Sequence, residues 1–454
     1  MQPSREQLER WDREHVWHPF TPMTAYAAER PLIIGRAEGC FLIDLDGRRY
    51  LDGVSSLWCN VHGHRVAEID AAIRDQLDAV AHSTLLGASN VPAIRLARRL
   101  VELAPPGLNH VFFSDDGATA VEVALKMAFQ YWRQCPQPRP QKTQFLALQG
   151  AYHGDTLGDV SVGDLARFHH LFAPLLFPTL RAPNPHCYRC PLGLERASCA
   201  MECADELARL VREHADTLAA VVIEPLVQGA AGMITAPEGY LRRVREVTRE
   251  CGVLLIADEV AVGFGRTGTM FACEQEGVVP DFLCLAKGLT GGYLPLAATL
   301  TTDEVYDAFL GPPEAGRTFY HGHTYTGNPL GAAAALASLD LLEAPAGLPA
   351  LPAKVERLRQ HLDRLRNLPV VGNVRQRGLM AGVELVEDRA TKRPFPPERR
   401  VGAHVCRLCR EQGVLLRPLG DVVVVMPPLA IDLSLLDRLG AALYNSVRAV
   451  ADSA

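Results

Sequence analysis

Between residues 110 and 302 the chain repeats one pattern: a short apolar run, a turn, then an amphipathic stretch. The apolar runs are "HVFFS" (110–114), "QFLAL" (144–148), "AAVVIEP" (219–225), "VLLIADEV" (253–260), "DFLCLA" (281–286) and "LAATLTT" (296–302). Most lack the alternation of a strand with one wet face, so they predict strands buried on both sides. The stretches 117–133, 203–216 and 238–251 carry the spacing of helices that cover such a sheet. Together these predict an α/β fold with a mostly parallel central sheet. "EAPAGLP" after residue 342 reads as a break. It is followed by an Arg-rich helix near 353–367 and the strand-like "VGNVRQRGLMAGVEL" and "DVVVVMPP". The expected organisation is a large domain over 71–342 and a smaller α+β domain built from 1–70 and 343–454.

Two of the buried runs end in charge. "VLLIADEV" delivers Asp258 at its carboxyl end, and "DFLCLA" is followed at once by Lys287. In open α/β sheets, ligands bind outside the carboxyl ends of the strands. Of 46 basic residues only five are lysines, so a lysine in an apolar run is conspicuous. One reading is a buried ion pair, which is a poor source of stability. The other is a catalytic amine facing a carboxylate. Pyridoxal phosphate needs that pair: a lysine for a Schiff base and an acid beside the pyridine nitrogen. A lysine in apolar surroundings also loses basicity, which makes it a nucleophile and proton carrier.

The same cofactor needs a cradle for its phosphate. In "FFSDDGATAVEVALKMA" a strand turns into a helix at Gly117, Ala118 and Thr119, where free amides and the helix dipole favour an anion. Asp115 and Asp116 there also read as ordinary helix caps. After "QFLAL", the stretch "GAYHGDT" places Tyr152 to stack on a ring, with His153 and Asp155 to orient it.

On "GATAVEVALKMA", "YHGDT", "VIEPLVQGAAGM", "LLIADEVAVGFGRTG", "LAKGLTGG" and "HGHTYTGNPLGAAAALASL", the chain resembles the class III aminotransferases of fold type I over nearly its whole length. Within that class, "HVWHPFTPM", "GVSSLWCNVHGH", "VAHSTLLG" and "LLRPLGDVVVVMPP" resemble the diaminopelargonate synthases of biotin biosynthesis. The resemblance implies pyridoxal 5'-phosphate bound through Lys287 and Asp258, with Val260 against the ring. It implies Gly117, Ala118, Thr119, Tyr152, His323 and Thr324 around the cofactor. Thr324 comes from a neighbouring subunit, so a homodimer with shared sites follows. Substrate contacts fall on Phe20, Trp58, Tyr152, Lys287, Gly322 and Arg417. The implied reaction aminates 8-amino-7-oxononanoate, a substrate with a carboxylate at the end of an apolar chain, which suits the two-pronged guanidinium of Arg417. Two departures stand out: Phe20 replaces a tyrosine of the synthases that use S-adenosylmethionine, and "VVVV" (422–425) lacks a second one. Both S-adenosylmethionine and lysine therefore stay open as donor. Other class III ω-amino acid or diamine transaminases are the alternative. Many relatives also carry serine where this chain has Ala118.

Composition changes the picture little. A net charge of −6 leaves no basic footprint for nucleic acid. No apolar run approaches a membrane span, and the charged start "MQPSREQLERWDREHVWHPF" has no secretory apolar stretch. The twelve cysteines then suggest reduced thiols in the cytoplasm. One group is unusual: Cys187, Cys190, Cys199 and Cys203 are spaced C-x2-C-x8-C-x3-C. The spacing allows a structural metal site away from the active site, free thiols in an insertion loop, or disulfides. "CRLC" (406–409) sits in a helical pattern and reads as core packing.

Overall fold

The computed structural model describes residues 3–453. Its centre is a seven-stranded sheet: β1 (His110–Ser114), β2 (Gln144–Leu148), β3 (Thr179–Ala182), β4 (Leu218–Ile223), β5 (Leu254–Asp258), β6 (Phe282–Leu285) and β7 (Ala297–Thr301), in the order β1-β7-β6-β5-β4-β2-β3. The expected mostly parallel sheet is present. Strand β5 runs parallel to both β4 and β6, and β2 runs parallel to β3 and β4. Only β7 runs against its neighbours, β6 and β1.

The continuous apolar runs have a simple cause. In β5, Leu255 and Ala257 belong to one core, and Leu254 and Ile256 to another on the opposite face. Strand β6 divides the same way, with Leu283 and Leu285 against Phe282 and Cys284. Both faces are dry, so neither tolerates polar side chains. Each fully buried Leu, Ile or Phe contributes about 1.5–3 kcal/mol relative to exposure. The helix Gly117–Gln134 covers one face. Its Ala120, Ala124 and Ala128, four apart and fully buried, allow a close approach, and Thr299 Oγ1 of β7 donates to Ala120 O at 2.7 Å.

Strand β3 was not expected. It is four residues long, sits at the sheet edge and reads "TLRA", too short and too polar to stand out. The predicted strand and helix runs otherwise match within a few residues, including Glu202–Glu213, Tyr240–Glu250 and Leu351–Leu365.

Beyond the central sheet, β8 (Val371–Arg377), β9 (Met380–Leu385), β10 (Arg417–Leu419) and β11 (Val422–Val425) form an antiparallel sheet in the order β8-β9-β11-β10. The two chain ends meet elsewhere: Val414–Leu415 pairs in parallel with the N-terminal strand Arg49–Asp52. Among the described residues no single helix is long and apolar enough to cross a membrane.

Candidate active site

Parallel register sets the first contacts. Asp258, the last residue of β5, lies opposite Cys284 of β6, and Lys287 follows three residues later. On the other side Ala257 pairs with Ile223, which places Glu224 next to Asp258 at the same sheet edge. The two adjacent strands thus present the carboxylate and the amine to one crevice.

Asp258 is 5% exposed; its Oδ1 accepts from Val260 N at 3.0 Å, and its Oδ2 lies 2.7 Å from His153 Nδ1. His153 Nε2 is buried without a hydrogen-bond partner. Burial holds the Lys287 amine below the usual lysine range, against the opposing pull of Asp258. Its Nζ stands 5.9 Å from the centre of the Trp58 ring. Lys287 and Trp58 both take positive φ, 45° and 64°. Such backbone costs about 1–3 kcal/mol per residue and collects where function needs a particular side-chain direction.

Glu224 was not singled out from sequence, although it ends the run "AAVVIEP" as Asp258 ends its own. Its Oε1 accepts from Tyr152 N at 3.2 Å and its Oε2 from Gly229 N at 2.8 Å. Burial pushes its carboxyl up to about 7, and the neighbouring Asp258 adds to the rise. Arg266, from "GFGRTG", is a second unpredicted member. Buried to 1% exposure, it donates to Asn60 O and Pro427 O at 2.8 Å each and to Trp58 O at 3.4 Å, anchoring the strained loop that carries Trp58. Gly229 completes this wall: a β-carbon there would stand 3.2 Å from the Trp58 ring.

The expected phosphate cradle is the start of the helix Gly117–Gln134. Asp116 and Thr119 form a capping box, in which Thr119 Oγ1 donates to Asp116 O at 2.8 Å and accepts from Asp116 N at 3.0 Å. The Thr119 hydroxyl is therefore engaged by its own helix turn. The first-turn amides of Gly117 and Ala118 belong to the set that a helix cannot satisfy internally. Gly117 is required by packing, since a β-carbon there would lie 2.4 Å from Val260 Cγ1. Val260, two residues beyond Asp258, thus roofs the cradle.

Tyr152 donates to Asp155 Oδ2 at 2.8 Å, and its ring lies 6.1 Å from that of His169 at 18°. His323 Nδ1 lies 3.0 Å from Asp115 Oδ2, beside the cradle, whereas Gly322 and Thr324 are exposed. Arg417 and Phe20 stand apart from this cluster, in the wall of a cavity of about 1080 Å³. That wall contains four arginines (Arg167, Arg189, Arg400 and Arg417) against Glu384 and Asp421, a balance that favours an anionic ligand. An aromatic chain connects the two regions: Phe20 meets Phe168 at 5.2 Å, and Phe168 meets Tyr152 at 6.4 Å.

The four spaced cysteines are free thiols and line one small cavity of about 10 Å³ in the loop after β3. Among the described residues no group of three or more His, Cys, Asp or Glu side chains is already arranged to hold a metal ion. Cys406 and Cys409 are buried in the core, as expected.

A mostly parallel α/β sheet presenting a lysine, a carboxylate and a helix start at one edge is the arrangement a pyridoxal phosphate enzyme needs. The class III aminotransferase family model matches residues 24–446, and the chain belongs to that family: it is a pyridoxal phosphate-dependent aminotransferase. It is 57% identical over 441 residues to the adenosylmethionine-8-amino-7-oxononanoate aminotransferase of Nitratidesulfovibrio vulgaris, covering 97% of this chain and 81% of that one. The crystal structure of the enzyme of the same name from Methanocaldococcus jannaschii superposes with a TM-score of 0.94 at 45% identity, over 98% of this chain and 99% of that one. An amine transaminase from an uncultivated Pseudomonas species, solved in its pyridoxal phosphate-bound form, gives 0.90 at 38% identity, over 96% and 99%.

The residues present fit that cofactor: a buried amine of lowered basicity, a histidine with an unpartnered buried nitrogen, and a cradle that any larger residue at 117 would fill. A Gly117→Ala protein is expected to hold pyridoxal phosphate about 5–150-fold more weakly, because overpacking against Val260 costs about 1–3 kcal/mol. Equilibrium dialysis followed by absorbance checks this, and undiminished affinity would contradict the cradle assignment.

Proposed function

We propose that this chain transfers an amino group to 8-amino-7-oxononanoate, forming 7,8-diaminononanoate, with S-adenosylmethionine or lysine as donor. The observation that carries the reading is Arg417, on the wall of a cation-rich cavity joined by Phe20 and Phe168 to the Lys287 crevice. The names of the relatives over nearly the full chain support it.

Pyridoxal phosphate, when bound, supplies an electron sink for the carbon that gains or loses the amine. Lys287 is the amine that holds the group and then moves the proton at the reacting carbon. Its lowered basicity keeps a larger share of the neutral form available. Asp258 provides the negative charge that keeps the pyridine nitrogen protonated, and His153 fixes the carboxylate. Glu224 holds the backbone of Tyr152 and Gly229 in place. Trp58 presents an apolar face for the aliphatic part of a substrate, and Arg417 pairs with the terminal carboxylate. Thr324 and Gly322, exposed in one chain, serve the site of a second copy in a homodimer. Free thiols at the twelve cysteines fit a cytoplasmic enzyme.

The donor side has lost polar anchors. Phe20 offers a ring without a hydroxyl. Of the four valines of β11, Val422 lines the cavity, while Val423, Val424 and Val425 are fully buried.

An assay of 8-amino-7-oxononanoate with each donor in turn tests the proposal; no turnover with either would sink it. Arg417→Ala is expected to raise KM for this acceptor by roughly 10–100-fold, the value of a charge-assisted pair of about 1.5–3 kcal/mol. An amine acceptor lacking the carboxylate should be handled as before. Equal losses with both acceptors would take Arg417 out of carboxylate recognition.

A further inference from the structure

We propose that Cys187, Cys190, Cys199 and Cys203 form a structural tetrathiolate site for zinc or a similarly soft divalent cation, and that this site fixes the turn carrying Arg189. The four thiols come from two short stretches, 187–190 and 199–203, and share one cavity of about 10 Å³, near the lower limit for a water molecule and sufficient for a bare cation. The other eight cysteines of the chain are not on that wall.

The connection itself needs a staple. From Ala182, the end of β3, to Glu202, the start of the next helix, the chain forms neither strand nor helix. Connections beyond about 12–15 residues without secondary structure are uncommon in a compact domain and are usually functional or disordered. This one is ordered, and Leu192, the leucine of "PLG", is 38% exposed. Crosslinking through a metal is a common substitute for a missing core.

The surroundings suit thiolates. Met201 N donates to Cys199 Sγ at 3.3 Å, with Met201 held at a φ of 71°. Arg196 lines the cavity, and Arg243 donates to Ala200 O at 3.0 Å, so positive charge flanks the cluster. Cys199 Sγ donates to Glu202 Oε2 at 2.9 Å. Metal binding replaces that bond. Four S–H protons leave to solvent as four sulfur–metal bonds form, with no change in oxidation state. As placed, no three of the described His, Cys, Asp or Glu side chains could hold a metal ion, so binding requires the cluster to rearrange to the sulfur–zinc distance of about 2.3 Å.

The consequence reaches the cavity lined by Arg417. Tyr188 and Arg189 lie between the first two cysteines. Arg189 Nε donates to Glu384 Oε1 of β9 at 2.5 Å and lines the cavity that contains Arg417. The Tyr188 hydroxyl leaves no room for a β-carbon at Gly372 in β8, 2.4 Å away. A metal in the loop therefore ties the region after β3 to the C-terminal sheet.

The test uses the full-length protein without a polyhistidine tag, incubated with zinc chloride, desalted and analysed for metal. About one zinc per chain is expected, with cobalt substitution giving the visible bands of a tetrahedral tetrathiolate. Four thiols should react with a disulfide reagent only after a chelator is added. Cys199→Ser/Cys203→Ser should lose the metal while keeping the visible absorbance of the bound cofactor. Should that variant fail to fold, the metal content and thiol titration of the unmodified protein still decide. Zinc below about 0.1 per chain with all four thiols freely reactive, or a disulfide among them in the reduced-cell preparation, would overturn the proposal.

Discussion

Lys287→Ala is expected to reduce transamination by at least about 10³-fold, since under the proposed mechanism the variant loses both the covalent anchor and the group that moves the proton. The structure separates this loss from any loss of fold. Lys287 follows the end of β6, outside the strand, and its Nζ stands 5.9 Å from the centre of the Trp58 ring. Removing it also relieves a desolvated amine, so the thermal midpoint should hold or rise. The purified variant should lack the yellow colour of the covalently held cofactor and should not change its spectrum on mixing with an amino donor. Activity within tenfold of the unmodified enzyme would remove Lys287 from the chemistry.

Asp258→Asn is expected to lower kcat by about 10²–10³-fold, comparable to the loss of one preorganised electrostatic group in a dry site. The substitution keeps size and shape. An amide oxygen can still accept from Val260 N, and the amide nitrogen can face His153 Nδ1, so packing is preserved. What disappears is the negative charge that the proposed mechanism assigns to the pyridine nitrogen's partner. Kinetics and the absorbance of the bound cofactor, measured beside a thermal melt, distinguish the outcomes. An Asn variant as fast as the original would mean that the charge is not used, whereas one that loses activity and stability in parallel would mark Asp258 as structural.

A weaker but related consequence concerns Glu224. With its carboxyl raised to about 7, it is neutral over most of the acid range and gains charge as the pH rises through neutrality. Because its ordinary value is lower, the folded state holds this proton more tightly than the unfolded state. The stability that comes from keeping the group neutral is therefore present at low pH and is lost as the pH rises through about 7.

The apolar runs of β2, β4, β5 and β6 were legible in the sequence because a strand buried on both faces leaves a continuous local signal. So were Asp258 and Lys287, whose charges interrupt that signal at the strand ends. Edge strand β3 was not legible, because half its surroundings are solvent and its side chains need not be apolar. Glu224 was passed over because a lone glutamate before proline reads as the end of a run; only the pairing of Ala257 with Ile223 sets it beside Asp258. Arg266 looks like a loop arginine until three carbonyls from distant segments converge on it. The fold class, and a carboxylate and an amine at the ends of two successive buried runs, are legible because each follows from residue type and spacing within a short window. Tertiary structure decided which strands are neighbours, that Arg417 and Phe20 occupy a cavity distinct from the Lys287 crevice, and that the cysteine loop brings Arg189 to that cavity. Those relations join residues far apart in the chain, and packing, rather than local pattern, brings them together.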